Sequence, residues 1–140
     1  IGLSINHSQY HIHSAYLVQH SEMSGFSIKE RAIIAAIILN HRRKFKLYVF
    51  DSLNLSKTDK SKLYRIIFIC RIAVIIAQNG KTNQCEQIQL SYKNSKIRVS
   101  TTEKWLKKHT LLRHALEIEK KYWKKSGFDF DICINRSSIC

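Results

Sequence analysis

The sequence predicts an α+β chain, mainly helical over residues 1–80 and a small ββαβ domain over residues 81–140. Three observations carry that expectation. Ser27 and Glu30 stand at the spacing of a capping box, and an apolar run over residues 32–39 follows them. A second apolar run, residues 66–77, is long enough for a buried helix and too short for a membrane span of about 20 residues. After Gly80 the apolar period changes from helical to alternating.

The first predicted helix opens at the Ser27–Glu30 box, where each side chain can satisfy a backbone N–H left free at a helix start. Apolar residues occupy all its sides, which places it centrally in a helical core. It runs into Asn40-His41-Arg42-Arg43-Lys44, and cations at a helix C-terminus face the negative end of the macrodipole. Residues 52–61 are polar and break the pattern. A second helix is expected over residues 60–78, stopped by Asn79-Gly80. Arg71, between Cys70 and Ile72 in that helix, must find a partner or snorkel out. Ile88, Leu90 and Tyr92 share one strand face, Asn94-Ser95 makes a turn, and Ile97 and Val99 resume the alternation. A helical region begins at Trp105-Leu106, with Leu112, Leu116, Glu119 and Trp123 on one stripe and Gly127 at its end. Phe128, Phe130, Ile132 and Ile134 alternate as a last strand. A helix packing its Trp-bearing face on a small sheet buries both.

Net charge is +14, from 24 Lys and Arg against 10 Asp and Glu. Such a surface attracts polyanions, among them polyphosphate, nucleic acid and acidic lipid. The plainer reading is compositional: Lys and Ile are abundant and Pro is absent. The four cysteines (Cys70, Cys85, Cys133, Cys140) form no CxxC pair, and Cys70 packs as a small hydrophobe. A reducing cytoplasm is the expected setting. The chain starts at Ile1 with no signal peptide, which fits truncation rather than secretion.

The segment over residues 1–26 concentrates His7, His11 and His13 ahead of Gly25-Phe26. Gly2, Ile5, His7, His11, His13, Ser14, Ala15, Tyr16, Ser21, Gly25 and Phe26 stand in register with a family signature that runs through His-x-His-Ser-Ala-Tyr to Gly-Phe. Further on, Trp105-Leu106-Lys107-Lys108-His109, Leu116 to Trp123 and Gly127-Phe128 resemble the same family's tail. On these residues the chain resembles the C-terminal region of the exopolyphosphatase / guanosine pentaphosphate phosphohydrolase family. Ser24 replaces a usual Pro, His20 a usual Asn and Ile12 a usual Lys.

The resemblance implies that residues 1–80 are part of a helical module like that of the HD metal-dependent phosphohydrolases. Those enzymes use a His, a His-Asp pair and a late Asp. The pair would precede Ile1, and Val74 stands near the place of the late Asp, so no metal site is expected here. Catalysis and Mg²⁺ would belong to an upstream ATPase-like region, leaving no catalytic residue in this chain. The family often carries Tyr-His-Arg-Lys where this chain has Asn40-His41-Arg42-Arg43.

Arg grips phosphate oxygens bidentately and Lys adds a point charge. His11, His13, His41, Arg42, Arg43 and Lys44 are therefore the candidate polyphosphate-binding residues, against the plainer reading of a solvated helix end. A second set, Lys104, Lys107, Lys108, His109, Arg113, Lys120, Lys121, Lys124 and Lys125, sits opposite the apolar stripe and reads as a solvated face. No P-loop, GxGxxG or HExxH occurs.

The implied function is the C-terminal part of an exopolyphosphatase, a hydrolase removing terminal phosphate from inorganic polyphosphate. This part would serve polymer binding and homodimerisation. The runner-up is guanosine pentaphosphate phosphohydrolase of the same family. From another class, a standalone basic polyanion-binding module for nucleic acid or a membrane surface fits the charge. Nucleic acid is the less favoured partner. The expected location is the cytoplasm, with peripheral contact to the inner membrane as the membrane-bound variant.

Overall fold

The computed structural model describes residues 9–79, 88–93 and 96–135. It divides into two compact units, Ile1–Arg71 and Ile72–Cys140. His7, Gly80, Cys85, Cys140 and the expected turn at Asn94-Ser95 lie outside the described residues.

The first unit begins with α1 (Tyr10–His20), packed on α2 (Ile28–Asn40). The capping box forms as the sequence predicts: Ser27 Oγ accepts the Glu30 N–H at 3.2 Å, and Glu30 Oε2 accepts the Ser27 N–H at 2.8 Å. The α1–α2 pair buries small side chains, Ala15, Ala35 and Ala36. Alanines let two helix backbones approach closely. The large apolar residues of α2 (Ile33, Ile34, Ile37, Ile38) stay only half-buried, so α2 is less central than its all-round apolar character predicts. The short α3 (Tyr48–Asp51) adds Phe50, which is buried with its ring 5.2 Å from that of Tyr64.

The helix α4 (Lys57–Asn79) starts three residues earlier than the sequence predicts. Ser56 explains this: its Oγ accepts the Asp59 N–H at 3.1 Å, satisfying a free donor of the first turn. The expectation of a buried helix over residues 66–77 is corrected in part. Leu63, Ile67, Phe68 and Arg71 are buried, whereas Ile66 and Ile69 are 46% and 56% exposed. Residues 66, 69 and 73 share the outward side of a 3.6-residue period, so α4 is amphipathic in its burial although apolar in composition.

The second unit holds the sheet. Strand β1 (Gln89–Lys93) pairs antiparallel with β2 (Lys96–Thr102), and β2 pairs parallel with β3 (Asp129–Asn135), in the order β1-β2-β3. The predicted strand, strand, helix, strand order holds, with the helical segment in two pieces, α5 (Glu103–Lys108) and α6 (Thr110–Lys125). His109 breaks them with a non-helical φ of −121° and ψ of 62°. A parallel partner for the central strand requires this crossover. The α6 stripe is buried as predicted at Leu112, Leu116, Glu119 and Trp123. Glu119 is tolerated there because its Oε1 accepts the Trp123 indole N–H at 2.7 Å. Trp123 meets Phe128 edge-on, with ring centroids 4.9 Å apart. Phe128, Phe130, Ile97 and Val99 complete the core.

Candidate functional site

The basic loop over residues 41–46 is held from below by two residues that carry no phosphate role in the sequence reading, Asn40 and Arg71. Asn40 is fully buried at the end of α2. Its Nδ2 donates to the Ala36 carbonyl at 3.0 Å, and its Oδ1 accepts the Lys46 N–H at 2.8 Å. Arg71 donates from Nη1 to the Asn40 carbonyl and from Nη2 to the Arg43 carbonyl, both at 2.7 Å. Its guanidinium also lies over the Phe45 ring, 4.5 Å from the centroid. The first bond satisfies a carbonyl left free at the helix C-terminus and places a cation at the negative end of its dipole, and the second ties down the loop backbone. Arg43 takes a left-handed conformation, φ 60°, which the carbonyl contact from Arg71 supports.

The loop meets α1 at Tyr10 and His11. Ring centroids of Tyr10 and His11 are 6.1 Å apart, those of Tyr10 and His41 6.0 Å, and those of His11 and His41 6.3 Å. The Arg42 guanidinium lies over Tyr10, 4.9 Å from its centroid. His41 points Nδ1 at the Ile38 carbonyl. Its pKa is lowered, chiefly by burial, against the raising effect of that carbonyl bond and with Arg42 and Arg71 lowering it further. His11 is buried, and its Nδ1 has no hydrogen-bond partner among the described residues. Its pKa falls to about 4, first by burial and then by the charges of Arg42, His41, Lys46 and Arg43.

Of the predicted residues, the fold brings together His11, His41 and Arg42, with Arg43 close enough to act on His11. Lys44 is exposed on the same loop and is absent from the charges acting on His11. His13 stands two residues beyond His11, about 200° round the helix, and the ring contacts do not include it. Among the described residues no carboxylate pairs with Arg42, Arg43, Lys44 or Lys46. Sequence reasoning missed Tyr10 as a site residue, and Asn40 and Arg71 as its supports. The signal for Arg71 was present, since an Arg in an apolar helix requires a partner.

The second basic set is a solvated face. Lys104, Lys107, Lys108, Arg113, Lys121, Lys124 and Lys125 are exposed, and Lys107 and Lys120 approach Glu103 and Asp131 at 2.8 and 4.0 Å. Among the described residues no three His, Cys, Asp or Glu side chains come together to hold a metal ion. A cavity of about 250 Å³, walled by Ala15, Ala36, Leu39 and Val49, is smaller than ordinary ligand pockets, which start at roughly 300 Å³. No described helix is long and apolar enough to cross a membrane.

The family model described as Ppx/GppA phosphatase, domain III, matches residues 1–120. The chain belongs to the Ppx/GppA phosphatase family. It is 34% identical over 91% of its length to a guanosine-5'-triphosphate,3'-diphosphate pyrophosphatase of Pseudoalteromonas translucida (strain TAC 125), covering 25% of that protein. Proteins of the same description from Pseudoalteromonas atlantica (strain T6c / ATCC BAA-1087) and Vibrio cholerae serotype O1 (strain ATCC 39541 / Classical Ogawa 395 / O395) are 32% and 26% identical. Over these matches the chain covers 91% and 94% of itself and 25% and 26% of the relatives. It thus spans about a quarter of the length of the curated relatives it matches. The domain III match spans all the residues of the α1–α2 corner described above.

Proposed function

We propose that this chain is the phosphate-contacting part of a phosphoanhydride hydrolase whose substrate is guanosine-5'-triphosphate,3'-diphosphate. The names of three relatives at 26–34% identity favour that substrate, the runner-up of the sequence reading, over polyphosphate. One structural observation carries the local role: among the described residues no carboxylate partners Arg42, Arg43, Lys44 or Lys46, and their loop is pinned by Arg71 and Asn40. A cationic loop of fixed backbone is prepared for phosphoryl oxygens before they arrive. Inorganic polyphosphate is the second reading, favoured by four cations within five residues, a spacing suited to a repeating polyanion. By the family resemblance, Mg²⁺ chemistry and homodimerisation are proposed for the whole protein.

Calorimetric titration of the chain with guanosine pentaphosphate, polyphosphate and GTP tests the reading. Arg42→Ala with Arg43→Ala is expected to weaken binding more than about tenfold. The same pair should flatten the salt dependence, because fewer phosphates are then neutralised and fewer counterions released. Lys124→Ala with Lys125→Ala is expected to change little. Equal losses from both pairs would mean diffuse attraction and no site.

A further inference from the structure

A phosphate grip made of Arg and Lys has no evident use for a buried neutral imidazole. Yet His11 is 4% exposed in that corner, with Nδ1 unpartnered. An orphaned buried polar atom is costly, and among the described residues the charged groups acting on this one are of a single sign. Tyr10 flanks it on α1, and His41, Arg42, Arg43 and Lys46 face it from the end of α2 and the following loop. No carboxylate is among the groups acting on it.

We propose that the corner between α1 and the end of α2 binds a tetrahedral oxyanion of the phosphoryl class together with one proton, which His11 takes from solvent. This rests on the phosphate-binding reading above and adds its regulation by pH.

The physical case is a reversal of sign. Without an anion, burial and the surrounding cations oppose a proton on His11. A dianion held by Arg42 and Arg43 offsets those cations and attracts a positive ring. A neutral imidazole has one N–H donor, whereas an imidazolium has two. Protonation therefore guarantees a donor at the unpartnered Nδ1, where a lone pair would repel an oxyanion. His41 is less suited to this part, because its Nδ1 is already directed at the Ile38 carbonyl. By linkage, a proton taken up on binding makes affinity rise as pH falls.

Sulfate is the probe, because it stays a dianion between pH 5 and 7 and brings no proton of its own. Imidazole NMR of the ¹⁵N-labelled chain follows each histidine with and without saturating sulfate in low-salt buffer. His11 is expected to titrate at about 4 without sulfate and at least roughly one unit higher with it. Sulfate affinity should rise roughly tenfold from pH 7 to pH 5 if the bound-state value reaches about 6. In His11→Asn, which retains a polar atom near the Nδ1 position, the sulfate affinity measured at pH 5 should no longer exceed that at pH 7. Sulfate binding with an unmoved His11, or with His41 alone shifting, overturns the proton coupling and leaves the phosphate grip standing. Failure of sulfate, guanosine pentaphosphate and polyphosphate to bind at either pH overturns the grip and the coupling together.

Discussion

Arg71 joins two carbonyls that the sequence places 31 and 28 residues earlier, those of Asn40 and Arg43. Through this one guanidinium, α4 sets the path of the loop that carries Arg42, Arg43 and Lys44. The relationship explains why a charged residue survives at 2% exposure within the apolar run over residues 66–77. Hydrogen bonds to the carbonyl of the last residue of α2 and to a loop carbonyl, with the Phe45 ring, replace its water.

Arg71→Ala should therefore lower unfolding stability by roughly 3 kcal/mol, from two charge-assisted bonds removed and buried carbonyls left uncovered. Denaturant titration measures this. Arg71→Lys should recover only part of the loss, since an ammonium lacks the planar fork that reaches both oxygens. Full recovery by Lys would show that charge, and not geometry, holds the loop.

Ser27→Ala removes the acceptor for the Glu30 N–H and the reciprocal arrangement of the capping box. The expected loss is about 1 kcal/mol, read as a lower unfolding midpoint with an unchanged slope. Ligand affinity should stay the same, because the box lies at the other end of α2 from the basic loop.

Replacing Glu119 by Leu takes away the acceptor of the Trp123 indole N–H, at a cost of about 2 kcal/mol. Glu119→Gln keeps a carbonyl oxygen for that bond and should be milder. Trp fluorescence on unfolding distinguishes the two. Equal losses would assign the effect to charge instead of to the indole bond.

Acid should weaken the fold before its carboxylates titrate. His11 is held at about 4 in the folded chain against 6.5 in an open one, so the unfolded state binds the extra proton between those values. Its contribution is fully present above pH 6.5 and is lost as pH falls toward 4, the loss amounting to about 2 kcal/mol at pH 5. Glu30 and Asp59 are also lowered, Glu30 by the Ser27 side chain and Asp59 by the Ser56 side chain, from ordinary values of 4.5 and 3.8. Their stabilisation is present above those values and is lost only at lower pH. Thermal melts at pH 7 and pH 5 in low salt should show the difference, and His11→Phe should shrink it. An unchanged pH dependence in that variant would remove His11 as its source.

Much of the fold was legible because it follows from local chemistry. The Ser27–Glu30 box, the Leu112–Trp123 stripe and the alternation at Ile97 and Val99 are short-range patterns, and each formed as read. The helix α1 is not legible in the same way, since its apolar residues form no clear stripe. Burial along α4 was misjudged for a related reason. Residues 66–77 are nearly uniformly apolar, so composition could not say which side, Ile67 and Phe68 or Ile66 and Ile69, would be covered.

Residue chemistry and local pattern sufficed for the types that could grip a phosphate, the capped helix α2, the order of strand, strand, helix and strand in the second unit, and the family. Tertiary structure alone decided that His11 joins His41 and Arg42 while His13 does not. It also decided that Arg71 is spent on two carbonyls and that His11 is neutral. The reason is physical: hydrogen-bond partners and desolvation depend on distances through space, and residues 30 or more apart along a chain carry no mark of them.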